Sequence, residues 1–366
     1  MLYLIKLTTM KWSDKMEKFS PDYTNIIDAA LNKTPKRLPL YEHAISSEVV
    51  KQITGEDFLA VVHNDDTSFE DKVEAFRRFC DFCAEHGYDV IPFECCTNAF
   101  VQQGRALRGI SPGIINDVSD VENYDWRGLV ENYKKGCEKF FGPLAVGLRP
   151  GMKAVGGIGN GVFEVIQDFT SFTGLCMLQV DNPEAYTLLW RKIGDALFEI
   201  WQWFMEKYSD AFAVCRFGDD LGFCSATLIA PDDIRTHIIP QYKRIVDLVH
   251  SYKKPFLLHS CGRIYEVMDD LIDTVGIDAK HSNEDSIDTF DVWLDKYGDR
   301  IGNFGGVEMN VLCLKTSTEV KEYVTNICRM SEGRGGVAIG SGNQIASYVK
   351  PECFIAMTEA VREYRS

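Results

Sequence analysis

Along the chain, short apolar runs alternate with longer stretches whose apolar residues recur every three or four positions. The first pattern predicts buried strands and the second one-sided helices; their alternation predicts parallel βα units. The unit is plainest over residues 255–285, PFLLHSCGRIYEVMDDLIDTVGIDAKHSNED. Its opening apolar run stops at His259-Ser260-Cys261-Gly262. A helical stretch follows, with Val267, Leu271 and Ile272 on one face and Gly276 closing it; a second strand over 277–280 ends in His281.

The same reading extends to the rest of the chain. Residues 22–32 predict a short helix, and 38–41 a strand ending in Glu42-His43. Residues 68–86 predict an amphipathic helix with Phe76, Phe79 and Cys83 on its apolar side and Gly87 as its stop. A strand over 88–93 ends in Glu94-Cys95-Cys96. Residues 97–150, with a helix near 127–140, read as a long insertion over the top of the fold. Residues 154–163 predict a third strand with a glycine-rich exit, and Asn182-Pro183 opens a long helix buried along Leu189, Ile193, Leu197, Ile200 and Phe204. The fourth strand, 211–217, ends in Gly218-Asp219-Asp220, and a helix over 231–250 follows. Strands over 301–304 and 336–339 end in Glu308 and Asn343, and a helix over 356–364 closes the chain. Eight strands separated by helices predict an α/β fold, a single (β/α)8 barrel of TIM type over residues 35–366, after an N-terminal extension over 1–34.

With 366 residues, 45% of them hydrophobic, the chain has material for one large barrel or two ordinary domains. A net charge of −15 argues against nucleic acid and anionic membrane as partners. Twelve scattered cysteines predict buried thiols in a reducing cytoplasm. Lys6, Asp14 and Lys15 interrupt any leader-like run, so the first fifteen residues read as a loose end, with Met10 or Met16 as alternative starts.

Chemistry gathers at the predicted carboxyl ends of the strands, where parallel α/β proteins build active sites. Those ends hold Glu42, His43, Glu94, Asn160, Asp219, Asp220, His259, Cys261, His281, Glu308 and Asn343. Residues i and i+2 of a strand share a face, so one cation could reach both His259 and Cys261, and zinc suits that imidazole and thiolate. Cys313 is the candidate third ligand, with His281 and Glu308 as rivals. Asp219 and Asp220 diverge as strand neighbours, so one of them faces the pocket. The glycines of 156–161 lack the Lys-Ser/Thr of a phosphate loop and are read as room for a broad, flat ligand. Cys80 and Cys83 read as core; Trp190, Trp201, Trp203 and Phe204 read as core or dimer surface.

The segment HSCGRIYEVMDDLIDTVGIDA, with LPLYEH, YDVIPFE, FGDD, GGVEMNVL and GGVAIGSGNQI, resembles the uroporphyrinogen decarboxylase superfamily, whose members include corrinoid-dependent methyltransferases. The resemblance implies a barrel with a funnel at its carboxyl face. The arginine-rich segment of the true decarboxylases is replaced by residues 42–47, Glu-His-Ala-Ile-Ser-Ser, so a tetrapyrrole carrying eight carboxylates would be poorly held. The methyltransferase branch uses zinc on an HxC pair, matched by His259 and Cys261, and on a later cysteine, where this chain has Asn343. What is implied is a methyltransferase moving a methyl group between a methylcorrinoid, held by a separate corrinoid protein, and a small thiol or other acceptor. Glu94, Asp219 and His281 would be catalytic; His43, Asn160, Asp220 and Asn343 would bind substrate; His259, Cys261 and Cys313 (or Glu308) would hold zinc. A homodimer suits barrels of this type. The alternatives are a decarboxylase, marked by funnel-facing arginines among Arg105, Arg108 and Arg149, and a corrinoid- or tetrapyrrole-binding protein without chemistry.

Overall fold

The computed structural model describes residues 19–365 except 65, 103, 105 and 110. The expected loose end over the first fifteen residues, with Met10 and Met16, lies outside the described residues. Seven strands form one parallel sheet in chain order. They are β1 (Val90–Cys95), β2 (Lys153–Ile158), β3 (Phe212–Gly218), β4 (Phe256–His259), β5 (Ala279–His281), β6 (Gly302–Val307) and β7 (Val337–Ser341).

The predicted first strand is reduced to a bridge. Leu40 pairs with Ile339 of β7, and the Tyr41 N–H donates to the Ile339 carbonyl at 2.9 Å. Among the described residues that segment forms no ladder with β1. Pro92 gives one reason: Cys95 turns its carbonyl to the Gly159 N–H on the β2 side, so Pro92, three residues earlier, turns to the seam with no N–H to offer, whereas Pro39 faces β7, where its carbonyl accepts from the Ile339 N–H at 2.9 Å. The expected eight-stranded ring is therefore seen as seven strands and one bridged segment, with a seam beside β1.

Between the strands run the crossover helices. Ser68 caps Phe69–Glu85, and Asn182 caps Pro183–Tyr208 with Pro183 at its first position. Helix Trp126–Gly147 packs against both of these, so it is the ordinary β1–β2 crossover. The insertion expected over 97–150 thus shrinks to residues 96–125. The third strand ends at Ile158, five residues early, because helix Val162–Thr170 begins there. The helix expected over 231–250 contains a wide π turn, Ile234–Ile238, just ahead of Pro240, which cannot donate in a regular turn.

Inside the sheet a small core takes Val90, Val155, Val214, Leu257, Ala279, Phe304 and Ala338 from the seven strands and Tyr41 from the bridged segment. Helix Thr24–Ala30 plugs its lower end with Ile26, Ala29 and Ala30. Because side chains two apart share a face, the next inward positions are dictated. They are Arg216 above Val214, His259 above Leu257 and His281 above Ala279, with Glu94 four above Val90. The interior therefore changes from hydrocarbon to charge within about one strand step of ~7 Å.

Candidate active site

The β4–β5 register sets His259 beside His281, and their Nδ1 atoms lie 2.7 Å apart. The Nε2 of His281 is 2.9 Å from the Ser341 carbonyl, which only accepts, so that nitrogen holds the proton. The neutral ring then has a lone pair at Nδ1, and His259 must donate its own Nδ1–H to it. Burial holds both rings neutral: His281 is pushed down to about 3, and His259 well below the usual imidazole range. A lone pair is thereby fixed on His259 Nε2.

That lone pair points at two further electron-rich atoms. Cys261 Sγ is 3.6 Å away and Asp220 Oδ1 3.8 Å. The Asp220 carboxylate is placed by the Cys261 N–H at 2.8 Å. The sulfur faces two donors, Asn343 Nδ2 at 3.3 Å and Ser282 Oγ at 3.6 Å, a setting that suits a thiolate. Burial pushes the Cys261 thiol well above its ordinary range, so a thiolate here needs a cation beside it. Imidazole nitrogen, sulfur and carboxylate oxygen converge within 4.8 Å, a donor set that fits zinc. Gly262, with φ of 82°, makes the turn after Cys261, and a Cβ there would strike the Gly222 backbone at 2.2 Å.

The other predicted site residues divide. The His43 and His259 rings pack at a tilt of 33° with centres 4.0 Å apart, and His43 Nε2 lies 3.8 Å from Glu94 Oε1. Glu94 is ion-paired with Arg216, whose guanidinium also donates to the Tyr41 hydroxyl at 2.8 Å and the His43 carbonyl at 2.9 Å. Asn160 donates to Glu164 at 2.6 Å and accepts from the Asn98 N–H at 3.3 Å. Asp219, predicted as catalytic, is wholly buried and accepts from the Phe163 and Glu164 N–H groups at 2.9 and 2.6 Å and from the Tyr242 hydroxyl. It thus satisfies the first turn of helix 162–170, and Asp220 is the member of the pair that faces the cluster. Glu308 caps helix Met309–Leu314, and Cys313 lies on that helix; neither joins the His259–Cys261 group among the described residues. Asp220 takes the place expected for a third ligand. The glycines of 156–161 make room for protein, not ligand: a Cβ at Gly156 would strike the Phe93 carbonyl, and one at Gly161 the Asp219 carboxylate.

Two residues were missed. Arg216 is fully buried at the centre of the site. Its signal was a lone charge inside the apolar run Ala213-Val214-Cys215-Arg216-Phe217. Glu164 lies near the charges of Asp219, Asp220 and Glu94, and burial with those neighbours pushes its carboxyl up to about 9. Of the arginines expected to mark a decarboxylase, Arg149 is paired with Asp81 on the surface, at 2.9 Å; Arg105 and the Arg108 side chain lie outside the described residues. Cys80, Cys83, Trp190, Trp201 and Phe204 are core.

A parallel α/β sheet with its titratable groups at the carboxyl edge puts the candidate site where α/β folds of this kind build theirs. More narrowly, the chain belongs to the uroporphyrinogen decarboxylase family, whose model matches residues 154–364, a span that includes Asp220, His259, Cys261, His281 and Asn343. Among solved structures it is similar to a methyltransferase from Methanosarcina mazei, with 14% identity, a TM-score of 0.66, and coverage of 95% of this chain and 100% of that one. That likeness is one of fold. A putative vitamin-B12 independent methionine synthase from Listeria monocytogenes shares 12% identity over 89% of this chain and 97% of its own, with a TM-score of 0.47. No curated protein matches in sequence. No described helix is long and apolar enough to cross a membrane.

Proposed function

We propose that this protein is a corrinoid-dependent methyltransferase that moves a methyl group between a methylcorrinoid and a small thiol or related acceptor, with zinc held by His259, Cys261 and Asp220. The observation that carries this reading is the fixed lone pair of His259 Nε2 converging with Cys261 Sγ and Asp220 Oδ1. Zinc bound there would supply Lewis acidity and keep an acceptor thiol as its thiolate at neutral pH.

The chain's own groups do the rest. His281, anchored on the Ser341 carbonyl, orients His259 and fixes its tautomer. Asn343 and Ser282 donate to the cysteine sulfur and hold it in place. Arg216 fixes Glu94 at the mouth, where the carboxylate and His43 would position the acceptor. Glu164, protonated at neutral pH, would hold a proton at its carboxyl close to Asp220. Phe223, Leu314 and Tyr348 are exposed in the segments after β3, β6 and β7, which suits a protein partner presenting the corrinoid at this edge.

The test offers methylcobalamin with a panel of thiols and follows cob(I)alamin absorbance. Transfer to at least one thiol, dependent on zinc and lost in Cys261→Ser, is expected. Absence of transfer with every acceptor, in both directions, would sink the reading.

A further inference from the structure

The seam beside β1 holds a cavity. It has a volume of about 200 Å³ and lies between β1, the segment after the Leu40 bridge, and the helices over 58–63 and 69–85. Its walls are hydrocarbon, with Leu59, Val62, Phe76, Phe79, Pro92 and Phe93 in contact with it. Its polar lining residues are His43, Glu94 and Ser47, the first two 3.8 Å apart.

The origin of the cavity is local. Pro92 offers no N–H on the open side of β1, so the helices behind it cover a gap instead of a ladder. Phe76 and Phe93 meet edge to face, with ring centres 5.0 Å apart, and line the gap with aromatic carbon. At His43 and Glu94 the cavity adjoins the site already described. His43 lines the cavity and packs its ring at a tilt against His259, while its buried Nδ1 has no partner. Glu94 is held from behind by Arg216. A ligand seated here would meet an unused nitrogen and a fixed carboxylate at the end nearest His259.

Resting on the transferase reading above, we propose that this cavity receives the apolar body of the small-molecule methyl acceptor or donor, a compound carrying one six-membered ring or a branched alkyl group of that size. Size supports this class. An apolar cavity of about 150 Å³ takes a benzene, so the present one has room for a ring and a short substituent, while a tetrapyrrole is excluded. Polarity supports it too. An anionic head in this pocket would lose its hydration with no guanidinium free to replace it, since Arg216 is committed to Glu94, Tyr41 and His43.

The test uses the full-length zinc-loaded protein and benzyl alcohol, a probe that needs no metal. Calorimetry is expected to give one binding site. Val62→Phe and Ala44→Phe, each confirmed as folded by circular dichroism, fill the cavity from different walls and should each weaken binding about tenfold or more. His259→Ala should leave benzyl alcohol binding in place. In the transfer assay, kcat/KM for benzyl mercaptan should exceed that for 2-mercaptoethanol about tenfold, with the ratio falling toward unity in Val62→Phe. No benzyl alcohol binding by the unaltered protein, or binding unchanged in both variants, overturns the proposal. Binding lost in both variants but with no methyl transfer to any thiol supports the cavity as a ligand site and overturns the transferase reading instead.

Discussion

The two ends of the sheet are built from the same strands and do opposite things. At the lower end Val90, Val214, Leu257 and Ala279 close on helix 24–30 as pure hydrocarbon. One or two inward positions higher, the same strands present Glu94, Arg216, His259 and His281. The lower end gains its free energy by removing apolar area from water, roughly 25 cal/mol per Å². The upper end gains little net stability, because its buried charges and imidazoles recover by pairing what they lost by desolvation. What the upper end obtains is direction: each proton and lone pair is assigned by the partner beside it. A substitution below should therefore change stability alone, whereas one above should change chemistry.

The largest separation is expected at the metal ligands. Cys261→Ser and His259→Ala should each lower methyl transfer on the order of a hundredfold or more, with melting temperature little changed in the zinc-free protein. Arg216→Met should lower stability, by about 1–3 kcal/mol in urea unfolding, because it leaves the half-buried Glu94 carboxylate without its partner. Adding Glu94→Gln should restore part of that loss, and an additive double mutant would contradict the pairing. At the lower end, Ile26→Ala should cost about 2–4 kcal/mol by opening a cavity, with zinc affinity unchanged. A shift in zinc affinity there would break the distinction between the two ends. His281→Phe removes the acceptor for the His259 Nδ1–H, and zinc affinity measured by chelator competition should fall about 10–100-fold.

The smallest effect is a pH dependence. Glu42 is buried against Ser341 and Tyr88, and burial pushes its carboxyl up to about 8. The folded chain then holds a proton that the unfolded chain releases near its ordinary value of 4.5. Stability from this group is complete below about 4.5, falls as pH rises toward 8, and is flat above. Glu42→Gln should remove that slope from melting temperatures measured across the interval. A slope of the same size in the variant would assign it elsewhere.

Much of this was legible in the sequence. The HxC spacing put His259 and Cys261 within reach of each other, at 3.6 Å, although β4 ends at His259 and Cys261 lies just beyond it. Strand order followed from alternating periodicities, and Asn182-Pro183 and Gly276 marked real helix ends. What escaped notice depends on contacts between distant segments. Asp219 and Asp220 are chemically identical in sequence, and only the position of helix 162–170 makes one a cap and the other a candidate ligand. Asp220 entering the ligand set in place of Cys313 was hidden for the same reason. Arg216 was legible and overlooked: the two-residue period that selects Val214 as inward selects Arg216 with it. Pro92 marks an edge in the sequence, but which side of β1 it leaves open is a fact of the fold.

The central claim is that His259 Nε2, Cys261 Sγ and Asp220 Oδ1 hold one metal ion. Its most direct test is titration of the metal-free protein with cobalt(II), followed by absorption in the near ultraviolet. The account predicts a thiolate-to-cobalt charge-transfer band that saturates at one equivalent, is displaced by zinc, and is absent from Cys261→Ser. No such band, or the same band in Cys261→Ser, would contradict it.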